Sequence, residues 1–270
     1  MTLTEKKIIV EGNEVAYFDE GNREITVVFI HGFPFNKSMW EQQLVLLRDH
    51  YRVIAYDVRG HGNTSAHANE FSILQFTGDL LAFLDQLEIE KVIICGLSMG
   101  GYIALHAMES FPNKITGLIL SDTQCSADTE EARGKRMKAI ELIKNDGLEH
   151  YASDSVKNLF APFSLENQKD KVDFIKNTIL KTPPDNICKT LMALANRKEK
   201  CSTLEKIKVP VLIMVGEEDK VTPLAAATKM HELIEESALH SIKNAGHLSN
   251  LENPEEFNTH LKNFLQVLGQ

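Results

Sequence analysis

The feature that most constrains this chain is a buried strand that runs straight into a glycine-rich turn and then a helix. Residues 92–95 read Val-Ile-Ile-Cys, residues 96–101 read Gly-Leu-Ser-Met-Gly-Gly, and helical spacing continues to residue 110. A serine on so tight a turn is held in strained geometry with its hydroxyl clear of the chain. This context favours Ser98 as a nucleophile over the alternative, a glycine-rich turn with an N-capping serine.

Strand and helix patterns alternate along most of the remaining chain. Short apolar runs typical of strands buried on both faces occupy residues 26–30, 51–56, 92–95, 115–121 and 211–215. A hairpin is predicted at 6–10 and 13–18, and a further strand near 238–242. Helical stripes fall at 38–48, 71–87, 98–110, 223–233 and 254–268. The predicted fold class is therefore α/β, with a mostly parallel eight-stranded sheet covered by helices on both faces.

The alternation breaks between residues 123 and 203, where the pattern is helical and more charged. Helices are predicted at 129–145, 148–160, 167–181 and 186–197. The block follows the carboxyl end of a strand, the edge at which open α/β sheets bind ligands, so we interpret it as a cap over the site. A surface bundle with no role at the site is the alternative. The predicted organisation is a core in two parts, 1–122 and 204–270, with a helical cap at 123–203.

Apolar side chains of the predicted cap are candidates for the wall of a substrate pocket. Packing the cap's own core is an equally good interpretation of the same residues. They are Leu148, Leu159, Phe160, Phe163, Phe174, Met192 and Leu194.

A serine hydroxyl is a weak nucleophile and needs a base. On sheets with this kind of serine turn, an acid and then a histidine follow in chain order. Asp219 comes just after the strand 211–215, and His247 just after the last strand. We therefore predict His247 as general base and Asp219 as the acid that orients it, although each could be an ordinary loop residue. Asp122, after the strand 115–121, is the competing acid and is less favoured by chain order.

Acyl transfer also needs N–H donors for the oxyanion of the tetrahedral intermediate. One predicted donor is the backbone N–H of Met99, which follows the nucleophile, and the other is that of Phe33 in the loop after the strand 26–30. Pro34 has no N–H to offer. His31 is interpreted as a structural hydrogen-bonding residue beneath this hole.

The composition narrows the range of partners. The net charge of −9 makes nucleic acid and anionic membrane surfaces poor candidates. No basic-then-apolar leader is apparent, and the apolar runs fall far short of the roughly 20 residues of a membrane span, so we expect a cytoplasmic protein. Monomer and homodimer both remain open. The cysteines are far apart and form no paired motif, so we expect free, mostly buried thiols. They are Cys95, Cys125, Cys188 and Cys201.

Several motifs together resemble one known superfamily. They are His-Gly-Phe-Pro at 31–34, Asp-Val-Arg-Gly-His-Gly at 57–62, Gly-Leu-Ser-Met-Gly-Gly at 96–101, Gly-Glu-Glu-Asp at 216–219 and Gly-His at 246–247. The set resembles the capped branch of the α/β-hydrolase superfamily. Segments 121–129 and 245–254 are similar to those of 3-oxoadipate enol-lactonase-like enzymes and small carboxylesterases. The resemblance implies the α/β-hydrolase fold and the same roles for Ser98, Asp219 and His247. It also implies oxyanion donors at Phe33 and Met99.

The predicted function is hydrolysis of a small carboxylic ester or lactone through an acyl-enzyme on Ser98, with no metal or organic cofactor. Fold and motif leave other functions open, because function depends on the site and its cap. The alternatives are a carbon–carbon bond hydrolase or a cofactor-free perhydrolase on the same residues, and a ligand-sensing protein with negligible turnover.

Overall fold

The structure is a computed structural model that describes residues 3–66 and 71–269. Residues 1–2, 67–70 and 270, which include both chain ends of the predicted core, lie outside the described residues. Across the described residues a sheet of eight strands runs in the order β1-β2-β4-β3-β5-β6-β7-β8. The strands are β1 Lys6–Val10, β2 Asn13–Glu20, β3 Thr26–Ile30, β4 Arg52–Tyr56, β5 Val92–Leu97, β6 Ile115–Ser121, β7 Val211–Gly216 and β8 Ser237–Ile242.

Strand direction follows the predicted alternation of strands and helices. β1 and β2 form an antiparallel hairpin, and β2 is antiparallel to β4. All pairings from β4 through β3, β5, β6 and β7 to β8 are parallel. The central strands are buried along their whole length, as their continuous apolar runs predict. The parallel strands therefore bring their carboxyl ends to one edge of the sheet.

Helices cover both faces of the sheet. One face packs against α2 Ile73–Gln86, α3 Met99–Ser110 and α9 Leu224–Leu233, and the other against α1 Glu41–Leu47 and α11 Pro254–Leu268. The short α10, Ser249–Glu252, precedes α11. Each of the two faces holds its own cluster of buried side chains, so the predicted fold class is confirmed.

Five helices lie between β6 and β7, in the region where the sequence predicts a cap. They are α4 Glu130–Asp146, α5 Leu148–Leu159, α6 Pro162–Asn167, α7 Lys169–Lys181 and α8 Pro184–Ala195. One predicted helix, 167–181, begins later than expected because residues up to Asn167 belong to α6 and only Lys169 starts α7. The division into a core of 1–122 and 204–270 with a cap of 123–203 stays a prediction.

The expectation that the cysteines are free is wrong for two of them. Cys125 and Cys201 form a disulfide, whereas Cys95 and Cys188 are free thiols. The two bonded residues are 76 positions apart, so no local motif marks them. They meet because the chain enters and leaves the inserted helices at one place, where the backbone N–H of Lys200 also donates to the carbonyl of Cys125 at 2.7 Å.

No helix in the described part of the chain is long and apolar enough to cross a membrane.

Candidate active site

Ser98 occupies the sharp turn between β5 and α3. Its φ is +53° and its ψ −111°, a left-handed backbone conformation that is costly for a residue with a side chain. Two flanking glycines make the turn possible. A Cβ on Gly96 would lie 2.3 Å from the carbonyl oxygen of Gly100, and one on Gly100 would lie 2.2 Å from that of Ile30. The turn therefore places the Ser98 side chain, which is largely buried, at the carboxyl edge of the sheet.

Three side chains from separate strand ends form one hydrogen-bonded chain. The Oγ of Ser98 lies 2.9 Å from Nε2 of His247, and Nδ1 of His247 lies 2.8 Å from Oδ2 of Asp219. Ser98 follows β5, Asp219 follows β7 and His247 follows β8. The structure thus brings together all three predicted residues, 28 to 149 positions apart.

Asp219 is held by its own loop as well as by the histidine. Its Oδ1 accepts from the backbone N–H groups of Val221 and Thr222, at 2.8 and 3.0 Å. The hydroxyl of Thr222 donates to Oδ2 at 2.7 Å. Burial acts to raise the pKa of Asp219, but the charge of His247 and these hydrogen bonds outweigh it and leave the pKa lowered. The carboxylate is therefore ionised and oriented toward the imidazole.

The electrostatics of His247 favour its protonated form. Burial acts to lower the pKa of His247, yet the charge and hydrogen bond of Asp219 outweigh burial, and the pKa is raised. The charge of Asp122 contributes in the same direction. An imidazole in this setting can take a proton from a neighbouring hydroxyl and keep it in a buried site.

Asp122, the competing acid, lies close by but does not contact the histidine through a hydrogen bond. Its carboxylate accepts from the hydroxyls of Ser121 and Ser249 and from the backbone N–H of Gly216. It is fully buried, and burial together with the charge of Asp219 raises its pKa to about 7. The geometry therefore favours Asp219 over Asp122 as the partner of His247.

The predicted oxyanion donors flank the serine. Met99 is the first residue of α3, and Phe33 lies in the loop after β3 and lines the same pocket as Ser98. Among the described residues, neither backbone N–H has a hydrogen-bond partner. Both are therefore available to an incoming oxygen atom, although their role stays a prediction.

His31 lies beneath this loop as a hydrogen-bonding residue. Its Nδ1 lies 2.7 Å from the carbonyl of Gly32, and its Nε2 accepts from the backbone N–H of Val58 at 2.9 Å. Complete burial lowers the pKa of His31 to about 4, so the ring is neutral around neutral pH. These contacts agree with the structural role that the sequence interpretation gave it.

The pocket beside Ser98 has a volume of about 190 Å³ and draws its wall from both the sheet edge and the inserted helices. Of the apolar residues proposed from sequence, only Leu159 and Leu194 line it. Phe163, Phe174 and Met192 are instead exposed, and Phe160 is buried away from it. Leu148 packs in the core on the α1 and α11 face. The alternative interpretation, packing in a core, therefore fits Phe160 and Leu148, and neither interpretation fits the three exposed residues, because hydrophobicity alone does not tell which side of a helix faces the sheet.

The sequence analysis did not predict most of the residues that line the pocket. The additional lining residues are Pro34, Tyr102, Arg136, Tyr151, Ser155, Asn158, Leu191 and Val221. Several are polar residues on α4 and α5, where no motif distinguishes them from a solvated helix face.

The loop that carries His247 is fastened to the inserted helices. The backbone N–H of His247 donates to the carbonyl of Leu159 at 2.7 Å. The buried carboxylate of Glu252 accepts from the N–H groups of Gly246 and Ala161, both at 2.8 Å. The end of α5 is therefore held against the histidine loop through backbone groups.

Within residues 3–66 and 71–269, no group of three or more His, Cys, Asp or Glu side chains is placed to hold a metal ion.

A family model described as the α/β-hydrolase fold matches residues 25–254. The chain belongs to the α/β-hydrolase family. Within that family, 3-oxoadipate enol-lactonase 2 of Acinetobacter baylyi is 32% identical over 247 residues, which cover 90% of this chain and 89% of the relative.

Solved structures of other α/β-hydrolases are similar over almost their whole length. A thermophilic esterase from Thermogutta terrifontis, solved with malate bound, has a TM-score of 0.93 at 28% identity and covers 99% of this chain and 100% of its own. The enol-lactonase from Burkholderia xenovorans LB400 has a TM-score of 0.90 at 25% identity, with 97% and 100% covered. The predicted superfamily and fold are therefore confirmed, and relatives of this hydrolase include esterases and enol-lactonases.

Proposed function

We propose that this α/β-hydrolase cleaves a carboxylic ester or lactone through an acyl-enzyme on Ser98. The observation that carries the proposal is the unbroken hydrogen-bond chain from the Ser98 hydroxyl through His247 to Asp219. The enol-lactonase and esterase relatives support the same substrate class. A cytoplasmic location stays a prediction.

In the first half-reaction, His247 Nε2 takes the proton of Ser98 as Oγ attacks the carbonyl carbon. The backbone N–H groups of Phe33 and Met99 stabilise the negative oxygen that forms. Asp219 fixes the tautomer of the imidazole and stabilises its protonated form. Collapse of this intermediate breaks the bond between the carbonyl carbon and the leaving oxygen, which takes the proton from His247, and the acyl-enzyme remains on Ser98.

In the second half-reaction, water attacks the acyl-enzyme. His247 accepts the proton of the water, and the same N–H groups stabilise the second tetrahedral oxyanion. Collapse of this intermediate breaks the bond to Oγ, which recovers its proton from His247. The carboxylic acid leaves, and for a lactone it carries the hydroxyl of the opened ring. Over the two half-reactions the proton of Ser98 ends on the leaving alcohol oxygen, and a proton of the water replaces it on Ser98.

Labelling with a fluorophosphonate and mutation of Ser98 test the proposal. The wild-type chain should be labelled on the peptide that contains Ser98, and Ser98→Ala should lose labelling and at least about a thousandfold in rate while it keeps its fold. Ser155→Ala is the matched control because Ser155 lines the same pocket but is not hydrogen-bonded to His247, so this variant should still be labelled. Retention of most activity by folded Ser98→Ala would overturn the proposal.

A substrate panel separates the remaining possibilities. Esters of rising chain length, lactones and β-diketones would be compared by kcat/KM with the same preparation. We expect esters or lactones to be turned over repeatedly. Cleavage of β-diketones alone would indicate a carbon–carbon bond hydrolase, and labelling without turnover would indicate a sensor.

A further inference from the structure

Glu252 is a buried acid to which the hydrolytic mechanism gives no role. It is the last residue of α10 and only 3% exposed. Burial raises its pKa, and the hydrogen bonds that the carboxylate accepts act in the opposite direction. A carboxylate is costly to bury unless its oxygen atoms are hydrogen-bonded, so the groups that bind these oxygens indicate what the residue does.

Both carboxylate oxygens of Glu252 accept from backbone N–H groups. Oε1 accepts from Gly246 at 2.8 Å and from Leu248 at 3.3 Å, the residues on either side of His247. Oε2 accepts at 2.8 Å from Ala161, at the junction of α5 and α6. One carboxylate therefore binds the loop of His247 and a segment of the inserted helices at the same time.

The N–H group of His247 itself is bound to the same segment. It donates to the carbonyl of Leu159 at 2.7 Å, so the consecutive N–H groups of residues 246–248 bind either Glu252 or the end of α5. A Cβ on Gly246 would lie 2.7 Å from both the nitrogen of Ala161 and the carbonyl oxygen of Leu159. The backbone that carries the imidazole is therefore packed directly on residues 159–161.

This junction also carries part of the pocket wall. Asn158 and Leu159, at the end of α5, line the pocket beside Ser98. Because the carbonyl of Leu159 also binds the N–H of His247, the wall and the base depend on the same contacts for their positions.

The charge of Glu252 reaches the base as well. Burial acts to lower the pKa of His247, and the charges of Asp219 and Asp122 oppose this effect. The charge of Glu252 acts in the same direction as these two. On α7, burial lowers the pKa of Lys171, and the charge of Glu252 opposes that change. The ionisation of His247 therefore depends in part on the carboxylate of Glu252.

We propose that Glu252 is a positioning residue for the reaction: it binds the backbone on both sides of His247 and at Ala161, and so aligns the imidazole with Ser98 and keeps the end of α5 at the pocket. This role rests on the proposed function, since it concerns the base that activates Ser98. Glu252 is not among the described residues that line the pocket, so it acts through the His247 loop and not on the substrate.

Two substitutions separate the geometry of Glu252 from its charge. Glu252→Gln replaces one accepting oxygen by an NH2 group that faces a backbone N–H. Glu252→Asp keeps the charge on a side chain too short to reach both Gly246 and Ala161. With p-nitrophenyl acetate, kcat should fall about 10- to 100-fold in each variant because the base is displaced. KM should rise as well, because the wall at the end of α5 loses the same support.

The pH dependence of kcat/KM distinguishes a positioning role from a purely structural one. Its rise with pH reports the ionisation of His247. The midpoint should move to lower pH in Glu252→Gln, which loses a negative charge, and should stay closer to that of the wild type in Glu252→Asp. Glu255→Gln is the matched control, because it removes the same charge from an exposed residue of α11, and it should leave kcat and the midpoint unchanged.

All rates are measured at a temperature at which thermal unfolding shows each variant to be folded. A folded Glu252→Gln that retains most of the wild-type kcat, or whose midpoint does not move, would overturn the role of Glu252.

Amide hydrogen exchange tests the same contacts in the wild-type chain without a substrate. By NMR, the N–H groups of Gly246, His247 and Ala161 should exchange slowly although these residues lie in no helix or strand. Fast exchange of these groups would overturn the role of Glu252. Slow exchange in a wild-type chain that turns over no ester or lactone would instead overturn the proposed function and leave the contacts of the His247 loop standing.

Discussion

Oδ1 of Asp122 accepts a 2.9 Å hydrogen bond from the backbone N–H of Gly216, the last residue of β7. This bond ties the loop after β6 to the strand end that leads into Asp219. The other oxygen of Asp122 accepts from Ser121 and Ser249, and its pKa is raised to about 7. Together with Glu252, three buried carboxylates therefore raise the pKa of His247, and of the three only Asp219 is hydrogen-bonded to its ring.

Separate asparagine substitutions should distinguish the two acids. Asp219→Asn removes the acceptor that fixes the tautomer of His247, so kcat/KM for an ester should fall about 1,000- to 10,000-fold. Asp122→Asn keeps an oxygen for the Gly216 N–H and should cost less than about tenfold. Steady-state kinetics would measure kcat/KM for both variants, and circular dichroism would verify that each is folded. A larger loss in Asp122→Asn would reverse the assignment.

As the pH rises, kcat/KM should increase through an acid limb whose midpoint lies above 6.5, the ordinary pKa of histidine. His247 must be neutral to take the serine proton, and the nearby carboxylates stabilise its protonated form, so activity should rise only as the pH passes this raised value. The pKa of Asp122 is also raised, to about 7, so the ionisations of Asp122 and His247 overlap in this limb.

Asp122→Asn provides the control for that profile. It removes one of the charges that raise the pKa of His247, so the midpoint of the acid limb should move to lower pH. An unchanged midpoint would show that Asp122 exerts no charge effect on the base.

The sheet and the three side chains at its edge could be predicted because their signals are local. Apolar runs mark each central strand, and the glycines around Ser98 mark a turn that any larger residue would block. Asp219 and His247 directly follow strands, so strand direction alone brings them to the edge that holds Ser98. Parallel pairing thus turns three distant sequence positions into neighbours.

The pocket wall could not be predicted in the same way. Arg136 and Leu194 face Ser98 only because of how the inserted helices pack on the sheet, and helical periodicity does not define that docking. Phe163 and Phe174 have equally apolar side chains but are exposed. The Cys125–Cys201 pair likewise depends on where the chain enters and leaves these helices.

Alanine substitutions at Gly100 of α3 and at Gly134 of α4 should show how tightly the turn at Ser98 is packed. A Cβ on Gly100 would lie 2.2 Å from the carbonyl oxygen of Ile30, so Gly100→Ala must displace β3 or α3 and should lower the melting temperature and the activity together. Gly134→Ala is the matched control. Gly134 is an exposed residue within α4, and a Cβ added there would have no neighbouring atom within 4 Å. Gly134→Ala should therefore raise the free energy of unfolding by about 0.5–1 kcal/mol. Thermal unfolding of both variants makes the comparison, and a harmless Gly100→Ala would contradict the close approach.

The disulfide should be detectable by counting thiols. Unfolded without reductant, the protein should expose two reactive thiols, Cys95 and Cys188, and after reduction four. Four thiols without reductant, in protein purified under air, would contradict the bond.

Removing the disulfide should affect stability more than activity. The bond closes a loop between residues 76 positions apart, so a Cys125→Ser, Cys201→Ser double variant should lose up to about 4 kcal/mol of unfolding free energy, with Cys188→Ser as the control. The hydrogen bond from Lys200 to the carbonyl of Cys125 uses backbone atoms and survives the substitution. The entry and exit of the inserted helices should therefore stay together, and kcat/KM should change little. A large loss of activity at unchanged stability would mean that the disulfide itself holds α4, and with it Arg136, at the pocket.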